Sequence, residues 1–265
     1  MLQYITWDVA PELFSIGSLT VRWYGLLWAL GIWLALIITQ KLFKHEQLPE
    51  KWLDKLFIYT VAGTVIGARL GHCLFYNPEY YLSRPWEILY VWQGGLASHG
   101  AAFGIIVSNY LYHRNVAKRG VIWVFDRIVI GVALAGAMIR LGNLMNSEIY
   151  GGPTTLPWGF IFVRDGQTMP MHPTQIYEII YCLVTFGVTW WLYWKKDAYK
   201  RTGLLFGVFL IGIFFSRFLI EFIKNDQESF ESGMLLNMGQ ILSIPFILWG
   251  IWLIYNSFKV KTVKK

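Results

Sequence analysis

An arginine at the end of a long apolar run has the surroundings that most favour chemistry in this sequence. Arg140 follows the apolar stretch 128–139 and precedes a cluster of polar residues and glycines. The members of that cluster are Asn143, Asn146, Glu148, Tyr150, Gly151 and Gly152. A guanidinium keeps its charge, so at the edge of hydrocarbon it needs a wet cavity, a partner or an anionic ligand. Arg140 is therefore a candidate site residue.

A second arginine makes a phosphate site possible. Arg217 also lies in an apolar run, with Glu221 four residues later. An intrahelical ion pair could explain both charges, but an exposed pair contributes only about 0.3–0.5 kcal/mol. Since that is too little to place two charges in lipid, a cavity-facing site is favoured. Guanidinium groups match phosphate oxygens bidentately, which predicts that Arg140 and Arg217 together bind the phosphate of a phospholipid head group.

His99 is the candidate for proton transfer. An imidazole has an ordinary pKa of about 6.5, so it can accept a proton near neutral pH. A lone histidine more often packs than reacts, but Gly100 and Gly104 would let a backbone or a ligand approach closely. For three glycines spaced four residues apart, Gly63, Gly67 and Gly71, helix packing is the better interpretation.

Membrane helices must position these residues. The 265 residues are 55% hydrophobic, 18% aromatic and 15% charged, which is too apolar for an ordinary soluble domain. A span needs about 17–25 apolar residues, and seven windows of that kind can be placed. They are 21–39, 56–75, 96–112, 121–139, 175–194, 203–222 and 238–255. The sequence thus predicts an all-α integral membrane protein with seven transmembrane helices, forming a single domain over residues 1–265.

The positive charges predict the orientation. Most of the 23 lysines and arginines lie in the loops after spans one, three and five and in the C-terminal tail. The positive-inside rule then places the N-terminus outside and the C-terminus in the cytoplasm. Residues 1–20 become an outside N-terminal segment, and residues 140–174, with several glycines and prolines, an ordered outside cap. This bias explains the net charge of +7, so no nucleic acid partner is predicted.

With this orientation, most unusual polar residues gather in the outer half of the membrane. Asp126 and Arg127 are the exception, at the cytoplasmic end of span four, where charges near the interface need no special explanation. Arg22 is explained equally well by snorkelling to the outer head groups and by lipid binding. Cys73 and Cys182 lie inside predicted spans, which favours neither a disulfide scaffold nor a thiolate metal site. No nucleotide, zinc or serine-hydrolase motif occurs, so no metal and no cofactor are predicted.

At these residues the chain resembles the prolipoprotein diacylglyceryl transferases, bacterial membrane enzymes. Each matching motif is short, but their order and spacing together are specific. The motifs include Val21-Arg22-Trp23-Tyr24-Gly25, Gly67-Ala68-Arg69-Leu70-Gly71, Gly94-Gly95-Leu96-Ala97-Ser98-His99-Gly100, Arg140-Leu141-Gly142-Asn143, His172-Pro173-Thr174-Gln175-Ile176-Tyr177-Glu178 and Met238-Gly239-Gln240-Ile241-Leu242-Ser243.

The resemblance implies transfer of the diacylglyceryl group of phosphatidylglycerol to the lipobox cysteine thiol in the signal peptide of a preprolipoprotein. A thioether forms and glycerol phosphate leaves, at the outer face of the bacterial cytoplasmic (inner) membrane. Residues predicted to be catalytic are His99, Arg140, Arg217, Glu148 and Glu221. Residues predicted to bind substrate are Arg140, with phosphatidylglycerol, and Arg217, Tyr24, Asn143, Asn146, Gly151 and Arg69. Whether His99, Glu148 or Glu221 is the base stays open.

The sequence departs from the family pattern at two places. The usual His-Gly-Gly-Leu-Ile-Gly is here His99-Gly100-Ala101-Ala102-Phe103-Gly104, which leaves the orientation of His99 open. A tyrosine common four residues before the span-six arginine is replaced by Ile213.

Two other classes of protein are alternatives. A transporter or lipid flippase would be favoured by charges spread over both membrane halves. A seven-helix receptor would leave the intramembrane arginines unexplained.

Overall fold

The computed structural model describes residues 4–17, 19–91, 94–224 and 235–259, with only the backbone described for Leu19 and Ser98. The tail lysines Lys261, Lys264 and Lys265, which contribute to the predicted orientation, lie outside the described residues. The chain divides into two compact units. The first combines Met1–Thr39 with Asp126–Lys265, and the second is Gln40–Phe125. The predicted single domain stays a prediction.

Long apolar helices dominate the described residues, and they follow the predicted spans closely. In chain order they are α1 (Trp23–His45), α2 (Glu50–Phe75), α3 (Pro78–Ser83), α4 (Ser98–Tyr112), α5 (Val121–Met145), α6 (Thr174–Lys195), α7 (Leu204–Ile220) and α8 (Met238–Lys259). A 3₁₀ turn, Glu221–Ile223, follows α7, and a π-helical turn, His113–Ala117, follows α4.

Six of the described helices are long and apolar enough to cross a membrane: α1, α2, α5, α6, α8, and α7 with its following turn. The predicted third span corresponds to α4, which has 15 residues. At about 1.5 Å per residue, such a helix is shorter than the hydrocarbon core of about 30 Å. The chain is thus a mainly helical membrane protein, while the seventh span and the orientation of the termini stay predictions.

Small residues bring the helices of the first unit together. A Cβ added to Gly131 of α5 would lie 2.8 Å from the Cα of Ala35 on α1, and a Cβ added to Gly31 would lie 3.2 Å from the Cα of Ala135. Gly207 of α7 faces Gly250 of α8 in the same way, because a Cβ on it would lie 2.8 Å from the Gly250 carbonyl oxygen. Without a hydrophobic driving force in lipid, such close backbone contacts supply much of the packing energy.

The glycine repeat of α2 packs against α4 in the second unit. A Cβ on Gly67 would lie 2.3 Å from the Gly100 carbonyl oxygen, and a Cβ on Gly71 would lie 2.7 Å from the Gly100 Cα. On the other side, a Cβ on Gly104 would lie 2.0 Å from the Gly63 carbonyl oxygen. The packing interpretation of the repeat is confirmed, and the close neighbour expected beside His99 is the backbone of α2.

Short strands modify the all-α expectation. β1 (Ile5–Trp7) pairs in parallel with β4 (Phe160–Phe162), so the predicted outside N-terminal segment is paired with the predicted cap. β2 (Glu12–Ile16) and β3 (Leu19–Arg22) form an antiparallel hairpin that leads directly into α1.

The predicted cap has its own small core. Leu144, Phe160, Phe162 and Met171 are buried together, and Trp7 packs against them. The Trp7 indole donates a hydrogen bond to the Leu144 carbonyl oxygen at 3.0 Å. This explains why a segment rich in glycine and proline is ordered. The side of the membrane on which it lies stays a prediction.

Asp126 and Arg127 on α5 are buried, so the expectation that these charges need no special explanation is wrong. The Asp126 carboxylate accepts hydrogen bonds from the backbone N–H groups of Gly203, at 2.6 Å, and Phe206, at 2.8 Å. These are amides of the first turn of α7, which lacks a side-chain cap of its own. Asp126 therefore caps a neighbouring helix, where a negative charge also complements the helix dipole. Arg127 donates to the Tyr199 carbonyl oxygen at 3.0 Å.

Candidate active site

Arg140 lies near the end of α5 and forms an ion pair with Glu178 of α6. The Arg140 Nε and a Glu178 carboxylate oxygen are 2.9 Å apart. The Glu178 side chain is 1% exposed, whereas that of Arg140 is 25% exposed. The carboxylate is thus fixed inside the protein, and the guanidinium reaches from it toward the surface. Sequence analysis included Glu178 only as the last residue of a family motif and did not place it in the site.

Arg217 near the end of α7 forms a second pair of the same kind. Its Nε lies 3.3 Å from Oε1 of Glu221, which is buried, whereas the Arg217 side chain is 37% exposed. Asn237 holds the other Glu221 oxygen with a hydrogen bond of 3.1 Å. Asn237 also exchanges hydrogen bonds with Gln240, each using its side-chain oxygen to accept from the backbone N–H of the other. This capping box begins α8 and fixes Glu221 at the same time.

Lys224 joins the two pairs. Its ammonium nitrogen lies 3.1 Å from Oε1 of Glu178 and 3.8 Å from Oε1 of Glu221, and its side chain is buried. The three cations and two anions form one ionic network of five side chains: Arg140, Glu178, Lys224, Glu221 and Arg217. Sequence analysis missed Lys224. The signal was present, because positions 217, 221 and 224 follow the i, i+4, i+7 spacing of one helix face.

Asparagine amides connect Arg140 to Glu148. Arg140 Nη1 donates to the Asn143 side-chain oxygen at 3.2 Å, and Asn143 donates to Glu148 at 2.8 Å. Asn146 donates to the same Glu148 oxygen at 3.2 Å. Four predicted site residues therefore lie together at the end of α5. The amides hold the Glu148 carboxylate without neutralising its charge.

The backbone around Glu148 is strained. Ser147 and Ile149 both have positive φ angles, 55° and 61°, and this region is unfavourable for a β-branched residue such as Ile149. Two side chains of α6 hold the loop in this shape. Gln175 donates to the Glu148 carbonyl oxygen at 2.7 Å, and Thr174 donates to the Ile149 carbonyl oxygen at 2.9 Å. Strain of about 1–3 kcal/mol per residue, maintained by surrounding contacts, is typical of functional sites.

Gly151 allows the cap to approach the ionic network. A Cβ at this position would lie 2.4 Å from the carbonyl oxygen of Ile223, the residue before Lys224. Gly151 and Lys224 form an antiparallel bridge, and the Gly152 N–H donates to the Ile223 carbonyl oxygen at 2.9 Å. The predicted importance of Gly151 thus has a steric reason. Any side chain there would push away the backbone that carries Lys224.

Two tyrosines lie beside the arginines. The Tyr24 hydroxyl at the start of α1 is within electrostatic range of Arg140 and Glu148, and its predicted contact with substrate stays a prediction. Its ring packs on Gly142, where a Cβ would lie 2.8 Å from the Tyr24 Cδ2. Tyr181 of α6, which sequence reasoning missed, is within electrostatic range of both Arg140 and Arg217.

Both arginines face their buried glutamates through Nε. Among the described residues, the one hydrogen bond recorded for the terminal amino groups of Arg140 and Arg217 is that of Arg140 Nη1 with Asn143. A guanidinium held at its Nε edge can present its terminal amino groups to an anion as a fork. The first unit can thus bind an anion such as a phosphate.

His99 lies at the start of α4 in the second unit and is exposed. Its Nε2 lies 3.1 Å from the Tyr76 hydroxyl, and the two rings are stacked with centroids 5.8 Å apart. His72 on α2 also stacks on the Tyr76 ring, with the two ring centroids 5.6 Å apart. The imidazole of His99 is accessible and has a hydroxyl partner, which suits proton transfer.

Arg69 is occupied by backbone groups. It is buried, and its guanidinium donates to the carbonyl oxygens of Glu87 at 2.6 Å, Ile88 at 2.9 Å and Gly94 at 2.6 Å. These contacts fasten the segment after α3 to α2, which gives Arg69 a structural role. Its predicted contact with substrate stays a prediction.

The cap also contains an open cleft of about 630 Å³. Tyr4, Thr154, Leu156, Met169 and His172 are among its lining residues. Burial lowers the pKa of His172 below its ordinary value. None of the predicted site residues lines this cleft, so the ionic network, with its convergent side chains, is the better candidate for the chemistry.

Comparisons with known proteins identify the family of this chain. The family model described as prolipoprotein diacylglyceryl transferase matches residues 11–256. A protein of Porphyromonas gingivalis named phosphatidylglycerol–prolipoprotein diacylglyceryl transferase is 51% identical, with 99% of this chain and 98% of the relative covered. Proteins with the same name from Chloroherpeton thalassium and Tolumonas auensis are 47% and 44% identical, and cover 99% and 96% of this chain and 97% and 98% of their own length.

The family match spans nearly the whole chain, and the relatives align over nearly their full length. The match covers both units and every residue of the ionic network. The chain therefore belongs to the prolipoprotein diacylglyceryl transferase family and is a membrane-embedded transferase.

Proposed function

We propose that this transferase moves the diacylglyceryl group of phosphatidylglycerol to the lipobox cysteine thiol of preprolipoproteins. The sulfur forms a bond to a glycerol carbon, the bond from that carbon to the phosphate oxygen breaks, and glycerol phosphate leaves. A base takes the thiol proton. The printed names of the relatives support the two substrates. This reaction is the first step of bacterial lipoprotein maturation.

The observation that carries the proposal is the way the two arginines are held. Arg140 and Arg217 each meet a buried glutamate through Nε, at 2.9 Å and 3.3 Å, and their side chains are partly exposed. Their terminal amino groups suit the oxygens of a phosphodiester. As the carbon–oxygen bond breaks, negative charge grows on the leaving phosphate, and prepositioned donors lower the energy of that transition state. We assign Tyr24 and Asn143 to the same head-group site.

We propose His99 as the base. A free cysteine has a pKa of about 8.5, so a neutral imidazole that removes the proton increases the reactive fraction at neutral pH. Tyr76, at 3.1 Å, is the partner that orients the imidazole. Glu148 and Glu221 already hold amide groups and cations, and we assign them to the arrangement of the arginines and the bound lipid.

We further propose that the site opens to the outer leaflet of the cytoplasmic membrane. Seven spans follow from the apolar windows, and an outside N-terminus and a cytoplasmic C-terminus follow from the charge distribution. In this arrangement α4 and its π-helical extension make the additional crossing. The cap then lies outside, where the lipobox cysteine emerges from the membrane.

The test is an assay with purified protein, phosphatidylglycerol labelled in its acyl chains, and a lipobox peptide. We expect label on the peptide in a thioether and one glycerol phosphate released for each peptide modified. Phosphatidylethanolamine and a peptide with serine in place of cysteine are the controls. Label transferred as an acyl ester, or release of glycerol phosphate without peptide modification, would overturn the proposal.

His99→Gln tests the base in the same assay. Glutamine keeps hydrogen-bonding capacity but does not titrate, so turnover should fall by about 10²–10⁴-fold while phosphatidylglycerol binding is retained. A selenocysteine peptide, whose nucleophile is more acidic, should recover part of the loss. Equal loss with both peptides at every pH would assign the base to another residue.

A further inference from the structure

Lys224 is a buried ammonium shared by two carboxylates that each also face an arginine. It lies 3.1 Å from Glu178 and 3.8 Å from Glu221, and all three side chains are almost completely buried. A buried ion pair is costly to desolvate, and apolar side chains of similar volume often give equal or greater stability. Stability is therefore a weak explanation for Lys224.

The backbone of Lys224 is also held in place. It bridges Gly151, and the preceding carbonyl group of Ile223 accepts a hydrogen bond from Gly152 at 2.9 Å. These glycines follow the strained loop that carries Glu148. The position of the ammonium group is thus fixed from the cap side as well as by the carboxylates.

The partners of each carboxylate oxygen of Glu178 and Glu221 indicate the role of Lys224. Lys224 meets Oε1 of Glu178, and Arg140 meets Oε2. On Glu221, Oε1 faces both Lys224 and Arg217, and Oε2 accepts from Asn237. A carboxylate with both oxygens free prefers a bidentate pair with arginine, which occupies two guanidinium nitrogens at once. With one oxygen held by Lys224, Glu178 meets Arg140 at a single point.

We propose that Lys224 is a positioning residue that keeps the arginine fork open. By occupying Oε1 of Glu178, it prevents Glu178 from closing on Arg140 as a bidentate partner. On Glu221, Asn237 holds the second oxygen instead. The terminal amino groups of Arg140 therefore stay available to a phosphate. This inference rests on the proposed function, because it concerns binding of the phosphatidylglycerol phosphate.

Lys224→Met, which keeps length but removes the charge, is the first test. Turnover should fall by about 10²-fold, as expected when reacting groups are displaced by about 1 Å. KM for phosphatidylglycerol should rise, while KM for the peptide and the thermal unfolding midpoint should stay close to those of the parent. Lys224→Arg, which keeps a cation at the carboxylates, should retain most of the turnover. Lys200→Met removes an exposed lysine paired with Asp197 and should leave turnover unchanged.

A double variant separates positioning from a merely structural role. In Lys224→Met, the freed Glu178 carboxylate closes on Arg140, so adding Glu178→Gln should raise turnover above that of Lys224→Met by about threefold or more. Coupling of this size is usual within one ion-pair network. A structural role predicts a further loss instead, and that result would overturn the inference. Unchanged turnover and unchanged phosphatidylglycerol binding in Lys224→Met would overturn it too. Should Lys224→Met not fold, Lys224→Gln carries the same expectations.

Direct binding measurements keep this test independent of the reaction. Binding of the purified variants to phosphatidylglycerol in nanodiscs is measured beside turnover. If the parent binds this lipid but transfers nothing to the peptide, the proposed function fails. The inference about Lys224 then depends on binding alone. Weaker binding by Lys224→Met, restored by Lys224→Arg, would support it, and equal binding by all three would reject it.

Discussion

Helix α5 carries charged side chains toward both ends, and the two ends satisfy them differently. Asp126 accepts from backbone amides of α7, and Arg127 donates to a backbone carbonyl group. At the other end, Arg140 is held by the side chains of Glu178 and Asn143. Backbone groups of packed elements have few alternative partners, whereas side chains can turn toward a ligand. The Asp126 end suits a fixed structure, and the Arg140 end suits an exchangeable partner.

Exposure and strain differ in the same direction. Asp126 and Arg127 are almost fully buried, while Arg140 reaches the surface and is followed by the strained loop around Glu148. Arg69 resembles the Asp126 end, because backbone carbonyl groups surround its guanidinium. A charge inside a membrane protein is therefore a weaker indication of function than the kind of partner that satisfies it.

Among the variants that test this comparison, Arg140→Lys and Arg217→Lys should have the largest effect on turnover. Each keeps the charge but cannot offer two parallel donors, so turnover should fall by about 10²–10³-fold, as for loss of one transition-state donor. Thermal unfolding should change little, because the lysine can still pair with the glutamate. Turnover is measured with phosphatidylglycerol and the lipobox peptide.

Arg164→Lys is the matched control for these variants. Arg164 is exposed and lies 2.8 Å from Asp8, so lysine there should leave turnover unchanged. Near-parental turnover in both site variants would mean that a point charge suffices, and the fork would have to be abandoned.

Asp126→Ala should show the opposite pattern, with stability lost and turnover per folded molecule kept. Removal of the carboxylate leaves two buried amides of α7 without this acceptor, at a cost of about 1–3 kcal/mol. Unfolding in detergent measures the change. Asp8→Ala, which removes an exposed carboxylate paired with Arg164, should cost about 1 kcal/mol or less. A specific loss of turnover in folded Asp126→Ala would contradict the division between the two ends.

The sequence predicted much of the Arg140 end, because its residues are costly in lipid and close together along the chain. Arg140, Asn143, Asn146 and Glu148 do meet in the structure. Lys224 was missed because it follows the end of an apolar run, where a lysine is ordinary. Its burial depends on contacts with Gly151, which is 73 positions earlier in the sequence.

Other features were beyond sequence reasoning for similar reasons. The capping role of Asp126 depends on α7, about 80 residues away, and nothing near Asp126 indicates it. The length of α4 was overestimated at its start, because the apolar residues Leu96 and Ala97 precede a helix of 15 residues. Periodicity predicts that a helix exists more reliably than it predicts where the helix ends or which distant backbone it meets.

Ile149→Gly tests whether the loop that follows the Arg140 end of α5 stores backbone strain. Glycine adopts the positive φ of this position at little cost, so the variant should be more stable by about 1 kcal/mol. Turnover should fall modestly because the Glu148 loop becomes less constrained. Ile5→Gly is the control, since Ile5 has similar exposure but lies in a strand, where glycine should lower stability. Reduced stability in both variants would mean that the loop around Glu148 stores no strain.

The smallest expected effect is a pH dependence from His172 in the cap. Burial lowers its pKa in the folded protein below the ordinary value of 6.5. The unfolded chain therefore binds more protons as pH falls through about 6.5, and stability must decrease over that range until the folded form is protonated as well. Unfolding midpoints between pH 8 and pH 5 measure the slope. His172→Phe should flatten this part of the profile. The His172 backbone also exchanges hydrogen bonds with Gly151 and Gly152, so the same acid range should weaken the contact that positions Lys224. Turnover that stays constant while stability falls would show that the cap can loosen without disturbing the arginine end of α5.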